Sequence, residues 1–140
     1  LVFVARNGEI RPLEGSSLLR GEDGPLAFAL GAAGHNVLLG RRRSDRLYLF
    51  DAATGRLQPV ALGERILGSE ELRIAAAGDL FVVLTENGVL AIEPCGRERW
   101  RIQRVSYAWH FALYEGGSVF LTDAAGNVLA FDAMSGEEIA

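Results

Sequence analysis

The chain has 140 residues, 49% of them hydrophobic and 23% charged, which is the composition of a folded domain and excludes an intrinsically disordered one. Its formal net charge is −4, so we expect neither nucleic acid nor a membrane as a partner. The single cysteine, Cys95, cannot form a disulfide within the chain, and the absence of an initiator methionine leaves the localisation unpredicted.

Short apolar segments separated by glycine-rich turns predict strands along the whole chain. Glycine accounts for 17 of the 140 residues, well above the usual share of about 7%. The predicted strands, in chain order, are residues 1–5, 10–13, 26–30, 37–39, 47–50, 57–61, 72–76, 81–85, 89–92, 100–102, 109–114, 119–122 and 128–131. Most are continuous apolar runs, which indicates sheets covered on both faces. Glu86-Asn87-Gly88 is predicted to form the turn of a tight hairpin.

One segment recurs along the chain. Residues 49–55 (LFDAATG) match residues 130–136 (AFDAMSG), and degenerate copies lie at residues 91–96 and 3–8. The glycines that end these copies are separated by 47, 41 and 40 residues: Gly8, Gly55, Gly96 and Gly136. A period of about 40 residues with four short strands in each repeat is typical of β-propeller blades.

The predicted fold is therefore all-β, with consecutive four-stranded antiparallel blades of a propeller. We expect a half blade at residues 1–14, full blades at 26–62 and 72–104, and a partial blade at 107–140. Propellers close with about four to eight blades, so some three blades would form an incomplete ring. We expect the chain to be part of a longer propeller. The alternatives are two chains that complete one ring, and a β-fold of another kind.

The recurring turn resembles the repeat of quinoprotein-type, pyrroloquinoline-quinone-like β-propellers. In that family an Asp, a Thr-Gly turn and a following Trp recur once in each blade. The matching turn residues are Asp51, Thr54 and Gly55, then Asp132, Ser135 and Gly136, and more loosely Glu93 and Gly96. The Trp position is filled by Trp100, where the resemblance implies packing between blades, but by Pro59 and Ala140 in the other repeats.

Two other propeller types share part of this pattern. WD-type repeats have the same spacing, but no Gly-His start and no Trp-Asp end recur in the repeats of this chain. The chromosome-condensation-regulator type has a longer repeat that fits the period less well. Apart from any family, an Asp that ends a strand accepts backbone N–H bonds from the turn that follows, and Gly takes the left-handed position. The repeated motif thus predicts structural turns and no acid–base pair.

Few residues are candidates for chemistry. Four arginines between two predicted strands are the strongest charge cluster, and they form a possible contact for an anion or a partner: Arg41, Arg42, Arg43 and Arg46. The simpler interpretation is a solvated loop paired with acidic loops. Cys95 lies beside arginines in a turn, and the only histidines, His35 and His110, do not have metal-ligand spacing. We predict no catalytic residue, no metal site and no bound cofactor.

The predicted function is a non-catalytic scaffold or binding module, with a protein partner or the remaining blades of the same chain covering its surfaces. If the chain is complete, a homo-oligomer is expected. The alternative is a fragment of a quinone-cofactor-dependent dehydrogenase propeller, although the sequence shows no cluster of oxygen ligands for Ca²⁺ and no vicinal cysteines. A third interpretation is purely structural, with the blades packed against another domain.

Overall fold

The computed structural model describes residues 2–4, 7–12, 26–30, 36–41, 46–61, 63, 74–103, 111–122 and 125–139. Every regular element in these ranges is a β-strand, so the predicted all-β class is confirmed. The strands are β1 Val2–Val4, β2 Ile10–Pro12, β3 Leu26–Leu30, β4 Asn36–Arg41, β5 Arg46–Asp51, β6 Arg56–Ala61, β7 Ile74–Ala77, β8 Leu80–Thr85, β9 Gly88–Ile92, β10 Glu98–Gln103, β11 Phe111–Glu115, β12 Ser118–Thr122 and β13 Val128–Asp132. These ranges contain no helix with the length and apolar character needed to cross a membrane.

The strands form four antiparallel sheets in chain order. Sheet 1 contains β1 and β2, sheet 2 contains β3 to β6, sheet 3 contains β7 to β10, and sheet 4 contains β11 to β13. Within each sheet, every strand pairs with the strands next to it in the chain. After β13 the chain turns back along this strand. Glu138 forms a bridge with Phe131, and the Ile139 N–H donates to the Ala130 carbonyl at 2.8 Å.

Tight turns join the strands where the sequence supplies glycine. Ala77 pairs with Leu80 across a two-residue loop that begins with Gly78 (φ 62°). Gly116 and Gly117 form the loop between β11 and β12, with φ values of 58° and 82°. Positive φ in both central residues matches the right-handed twist of the flanking strands, which is why glycine suits this position.

The predicted position of Gly88 was wrong. The structure places it in β9, opposite Thr85, so the loop consists of Glu86 and Asn87 alone. The reason for glycine is a close approach of the neighbouring strand: a Cβ atom on Gly88 would overlap the carbonyl oxygen of Ile102 in β10. Gly88 is therefore required by strand packing and does not belong to the turn.

Sheet 3 is buried on both faces because it lies between sheets 2 and 4. One face, together with sheet 2, forms a core cluster of Leu38, Leu47, Leu49, Val60, Phe81, Val83, Leu90 and Ile92. The other face, together with sheet 4, forms a cluster of Ala77, Leu80, Val82, Leu84, Val89, Ala91, Trp100, Val119, Leu121, Phe131 and Ala133. Alternate residues of β8 point to opposite clusters, which explains its continuous apolar sequence.

The first strands of the larger sheets lie side by side. β7 contacts both β3 and β11, so sheets 2, 3 and 4 meet along their first strands. Each later strand of a sheet then lies further from this common side, because the order within each sheet follows the chain. The arrangement places the turns between third and fourth strands at corresponding positions in successive sheets.

Candidate functional site at the repeat turns

Three corresponding turns carry the recurring motif: turn A (Asp51–Gly55), turn B (Glu93–Gly96) and turn C (Asp132–Gly136). In turns A and C the glycine N–H donates to the carbonyl four residues earlier, at 2.7 and 2.8 Å. In turn B it donates to the carbonyl three residues earlier, at 2.8 Å. All three glycines have positive φ, at 71°, 90° and 74° in chain order. Turn B thus closes one residue sooner with the same glycine conformation.

The aspartates of turns A and C hold their own turns. Asp51 Oδ1 accepts the Ala53 N–H at 2.9 Å, and its Oδ2 accepts the Thr54 hydroxyl at 3.0 Å. Asp132 Oδ1 accepts the Ser135 N–H at 2.8 Å, and also the Ser135 hydroxyl and the Met134 N–H, both at 3.0 Å. The bonds from Ser135 are the main cause that holds the pKa of Asp132 below its ordinary value. Both carboxylates therefore stabilise turn geometry.

Glu93 is the centre of a charged cluster in turn B. Its carboxylate accepts bonds from Arg97 Nε and Nη2 at 3.1 and 3.2 Å, from Arg99 Nη1 at 3.2 Å, and from the Cys95 thiol at 3.4 Å. Its side chain is only 14% exposed. Burial alone would raise the pKa of Glu93, but the hydrogen bonds from Cys95, Arg99 and Arg97 and the charge of Arg97 outweigh it, so the pKa lies below its ordinary value.

This cluster predicts a pH-dependent stability. Folding lowers the pKa of Glu93. Its contribution to the free energy of unfolding is therefore present above the unfolded pKa and is lost as the pH falls through the folded pKa. Urea unfolding at a series of pH values from about 7 to about 3 measures this loss. We expect Glu93→Gln to flatten the acidic limb relative to the wild type. Glu86→Gln, at an exposed turn residue, is the matched control and should leave the limb unchanged.

Trp100 connects sheet 3 to turn C. It is only 8% exposed, and its Nε1 donates to the Ala133 carbonyl at 2.8 Å. The indole covers Gly136, where a Cβ atom would lie 2.7 Å from Trp100 Cδ2. The preceding residue, Arg99, donates from Nε to the Met134 carbonyl at 3.3 Å. Both side chains reach turn C from a β-bulge in β10, between Glu98 and Trp100.

The corresponding contact in sheet 2 uses a different position. Val60 contacts turn B, since its Cγ2 would lie 3.2 Å from a Cβ atom on Gly96. Counting four residues after the glycine leads to Pro59, which pairs with Tyr48 of a separate cluster, whereas Val60 belongs to the cluster shared with sheet 3. β6 has no bulge, so Pro59, the fourth residue after Gly55, lies on the face of sheet 2 that points away from sheet 3. The inserted residue in β10 moves Trp100 onto the face toward the next sheet.

The other candidate residues are placed as follows. Arg41 ends β4 and Arg46 begins β5, so both belong to one hairpin, while Arg42 and Arg43 lie outside the described residues. His35 and His110 also lie outside them. Cys95 is a free, exposed thiol. Across the described ranges, no group of three or more His, Cys, Asp or Glu residues is placed to hold a metal ion.

A small open cleft lies beside turn A. It is lined by Asp51, Thr54, Arg56 and Gln58, and its volume is about 180 Å³. Sequence reasoning found the first two as turn residues and missed Arg56 and Gln58. The signal that finds Arg56 is its position directly after the turn glycine, which corresponds to Arg97 in the next repeat.

No protein-family model and no curated protein matches this chain. Solved structures do. BamB from Moraxella catarrhalis matches with a TM-score of 0.65 and 22% identity over 81% of this chain and 34% of that one. The computationally designed Ika4 protein matches with 0.61 and 18% over 86% of this chain and 74% of that one. A europium-containing methanol dehydrogenase matches with 0.58 and 15% over 84% of this chain and 25% of that one.

The fold is a β-propeller. The sheets meet along their first strands, stack through their faces and superpose on solved structures of this architecture, as the sequence predicted. The chain spans about a third of BamB and a quarter of the methanol dehydrogenase. At identities below 25% these likenesses establish the fold, and the fold hosts many unrelated functions.

Proposed function

We propose that this chain is a non-catalytic β-propeller module whose sheet 4 binds a protein partner. The observation that carries the proposal is the exposure of large apolar side chains there: Val128 is 62% exposed, Met134 55% and Ile139 57%. Val128 begins β13, Met134 lies in turn C, and Ile139 is hydrogen-bonded to β13 through its backbone. A surface that another protein covers typically exposes a contiguous apolar patch, and we infer that these three side chains belong to one.

The turns support a non-catalytic role. General acid–base chemistry needs a carboxyl or another titratable group whose polar atoms face a substrate. The carboxylates of Asp51, Glu93 and Asp132 are instead bonded to groups of their own turns or of the adjoining strand. These three carboxylates therefore hold the turns of the propeller in shape.

We also infer that the repeats are of the quinoprotein type. Trp100 supports this, because it covers the glycine of the next turn from the position at which that family has its tryptophan. The quinone-dependent dehydrogenase remains the second interpretation of the sequence. The likeness to the methanol dehydrogenase, at 15% identity, concerns the fold alone and adds nothing in favour of that activity.

The partner surface is tested with a second copy of the chain as the partner. We expect residues 1–140 to self-associate as the concentration rises, since uncovering apolar area costs about 25 cal/mol per Å². Size-exclusion chromatography with light scattering measures the mass. The double variant Val128→Asp/Ile139→Asp should shift the chain to a monomer, and Gln103→Asp, at an exposed residue of sheet 3, should not. A wild-type monomer at every concentration would overturn the proposal.

A further inference from the structure

Two arginines occupy the same place in successive repeats but differ in their surroundings. Arg56 follows Gly55 of turn A, and Arg97 follows Gly96 of turn B. Arg97 is paired with the carboxylate of its own turn, through Nε to Glu93 Oε2 at 3.1 Å and Nη2 to Glu93 Oε1 at 3.2 Å. In turn B the arginine charge is therefore satisfied within the repeat.

In turn A, the corresponding arginine is not paired with the carboxylate of its own turn. Asp51 has a shorter side chain than Glu93, and each of its oxygens already accepts a bond from turn A, from the Ala53 N–H and the Thr54 hydroxyl. Within the part of the chain that the structure describes, the Arg56 guanidinium has no ion pair and no side-chain hydrogen bond. Because turn A begins with Asp51 where turn B has Glu93, Arg56 is not held by a carboxylate of its own turn.

Arg56 faces a cleft with further polar groups. Arg56 and Gln58 are two residues apart in β6 and are both exposed, so they project from one face of the strand. With Thr54 and Asp51 they line the cleft of about 180 Å³. That volume is smaller than the roughly 300–1,000 Å³ of pockets for drug-sized ligands, so it suits one small group and no large cofactor.

We propose that this cleft is a binding site for a carboxylate that carries an N–H group beside it. A guanidinium binds a carboxylate through two parallel hydrogen bonds, and the Gln58 amide adds a further donor. Asp51 retains acceptor capacity for the ligand N–H, because a carboxylate has about four lone-pair positions and two are used. Its negative charge repels a phosphate dianion about twice as strongly as a carboxylate at the same place. Such a carboxylate is found in an acidic residue of a peptide and in a free amino-acid derivative.

The site is tested by NMR titration of the ¹⁵N-labelled chain, following the Arg56 Nε–H signal and the backbone amide signals of Thr54 and Gln58, which remain in the Arg56→Gln variant. The probes are acetate, N-acetylglutamate, a blocked hexapeptide with one central glutamate, the same peptide with glutamine, and inorganic phosphate. We expect saturable shifts with the glutamate peptide and N-acetylglutamate, weaker binding of acetate, and none with the glutamine peptide. A peptide that binds more tightly than N-acetylglutamate identifies a peptide as the source, and equal affinities identify a small molecule.

Two variants test whether the NMR shifts depend on Arg56. Arg56→Gln should weaken binding by about tenfold or more, as expected for the loss of a charge-assisted bond. Arg97→Gln, at the corresponding paired position, should change it by less than about twofold. The proposal is overturned if no carboxylate gives a saturable shift, if Arg56→Gln binds as the wild type does, or if phosphate binds more tightly than N-acetylglutamate. The result does not depend on sheet 4, so it is separate from the test of the proposed function.

Discussion

Trp100→Ala is expected to lower the free energy of unfolding by about 3–5 kcal/mol, the range for removing a buried aromatic side chain. The indole fills the space between β10 and turn C, and it is buried in the cluster that sheets 3 and 4 share. Its loss leaves a cavity over Gly136, where the backbone cannot collapse without breaking the turn. Urea unfolding followed by far-ultraviolet circular dichroism measures the change without using tryptophan as the probe.

The packing and hydrogen-bonding parts of this effect can be separated. Trp100→Phe keeps an aromatic ring but removes the Nε1 donor that satisfies the Ala133 carbonyl, so we expect a loss of about 1–3 kcal/mol. Arg97→Ala, at a side chain that is 73% exposed, is the surface control and should cost less than about 1 kcal/mol. A Trp100→Ala variant as stable as this control would mean that sheets 3 and 4 do not depend on the indole.

The sequence was sufficient for the strands of sheet 3 because both faces of that sheet are covered. A strand buried on both sides is apolar along most of its length, as residues 80–84 and 88–92 show, and the buried Thr85 at the end of β8 donates its hydroxyl to the Gly88 carbonyl. Glycines then mark the points where the chain reverses. The same two signals, continuous apolar runs and regularly spaced glycines, were enough to predict the propeller.

Sequence spacing failed where the register changed. The bulge at β10 adds one residue, which moves Trp100 to the opposite face from that of Pro59 in β6. A count from the glycine treats both residues as equivalent, because a bulge has no sequence signature that spacing can detect. Val60 was therefore missed as the residue that contacts turn B, and Gly88 was assigned to a turn because Asn-Gly is so common in hairpin loops.

The candidate site was predictable only in part for a related reason. A carboxylate at the end of a strand signals a turn, and Asp51 and Asp132 each accept a backbone N–H bond from the turn that follows. Whether an arginine is paired depends on the reach of its neighbour, and Glu93 differs from Asp51 by one methylene group. That difference becomes meaningful only when both turns are seen with their hydrogen bonds, which is why Arg56 and Gln58 emerged from the structure.

Gly88→Ala is expected to destabilise the chain by about 3 kcal/mol or more, the upper part of the range for overpacking a core. A methyl group there would overlap the carbonyl oxygen of Ile102, which is backbone and cannot rotate away. β10 would have to move from β9, and Trp100 and Arg99 would move with it, so the contact with turn C would loosen as well. Thermal and urea unfolding should both show the loss.

The matched control for Gly88→Ala is the same change at Gly116, in the loop between β11 and β12. A Cβ atom on Gly116 meets nothing within 4 Å, so the variant adds only the cost of a φ of 58° with a side chain, about 1–2 kcal/mol. The two variants therefore separate steric overlap from backbone conformation. If Gly88→Ala were no more destabilising than Gly116→Ala, β9 and β10 would not approach as closely as the structure shows, and glycine at position 88 would have only a conformational role.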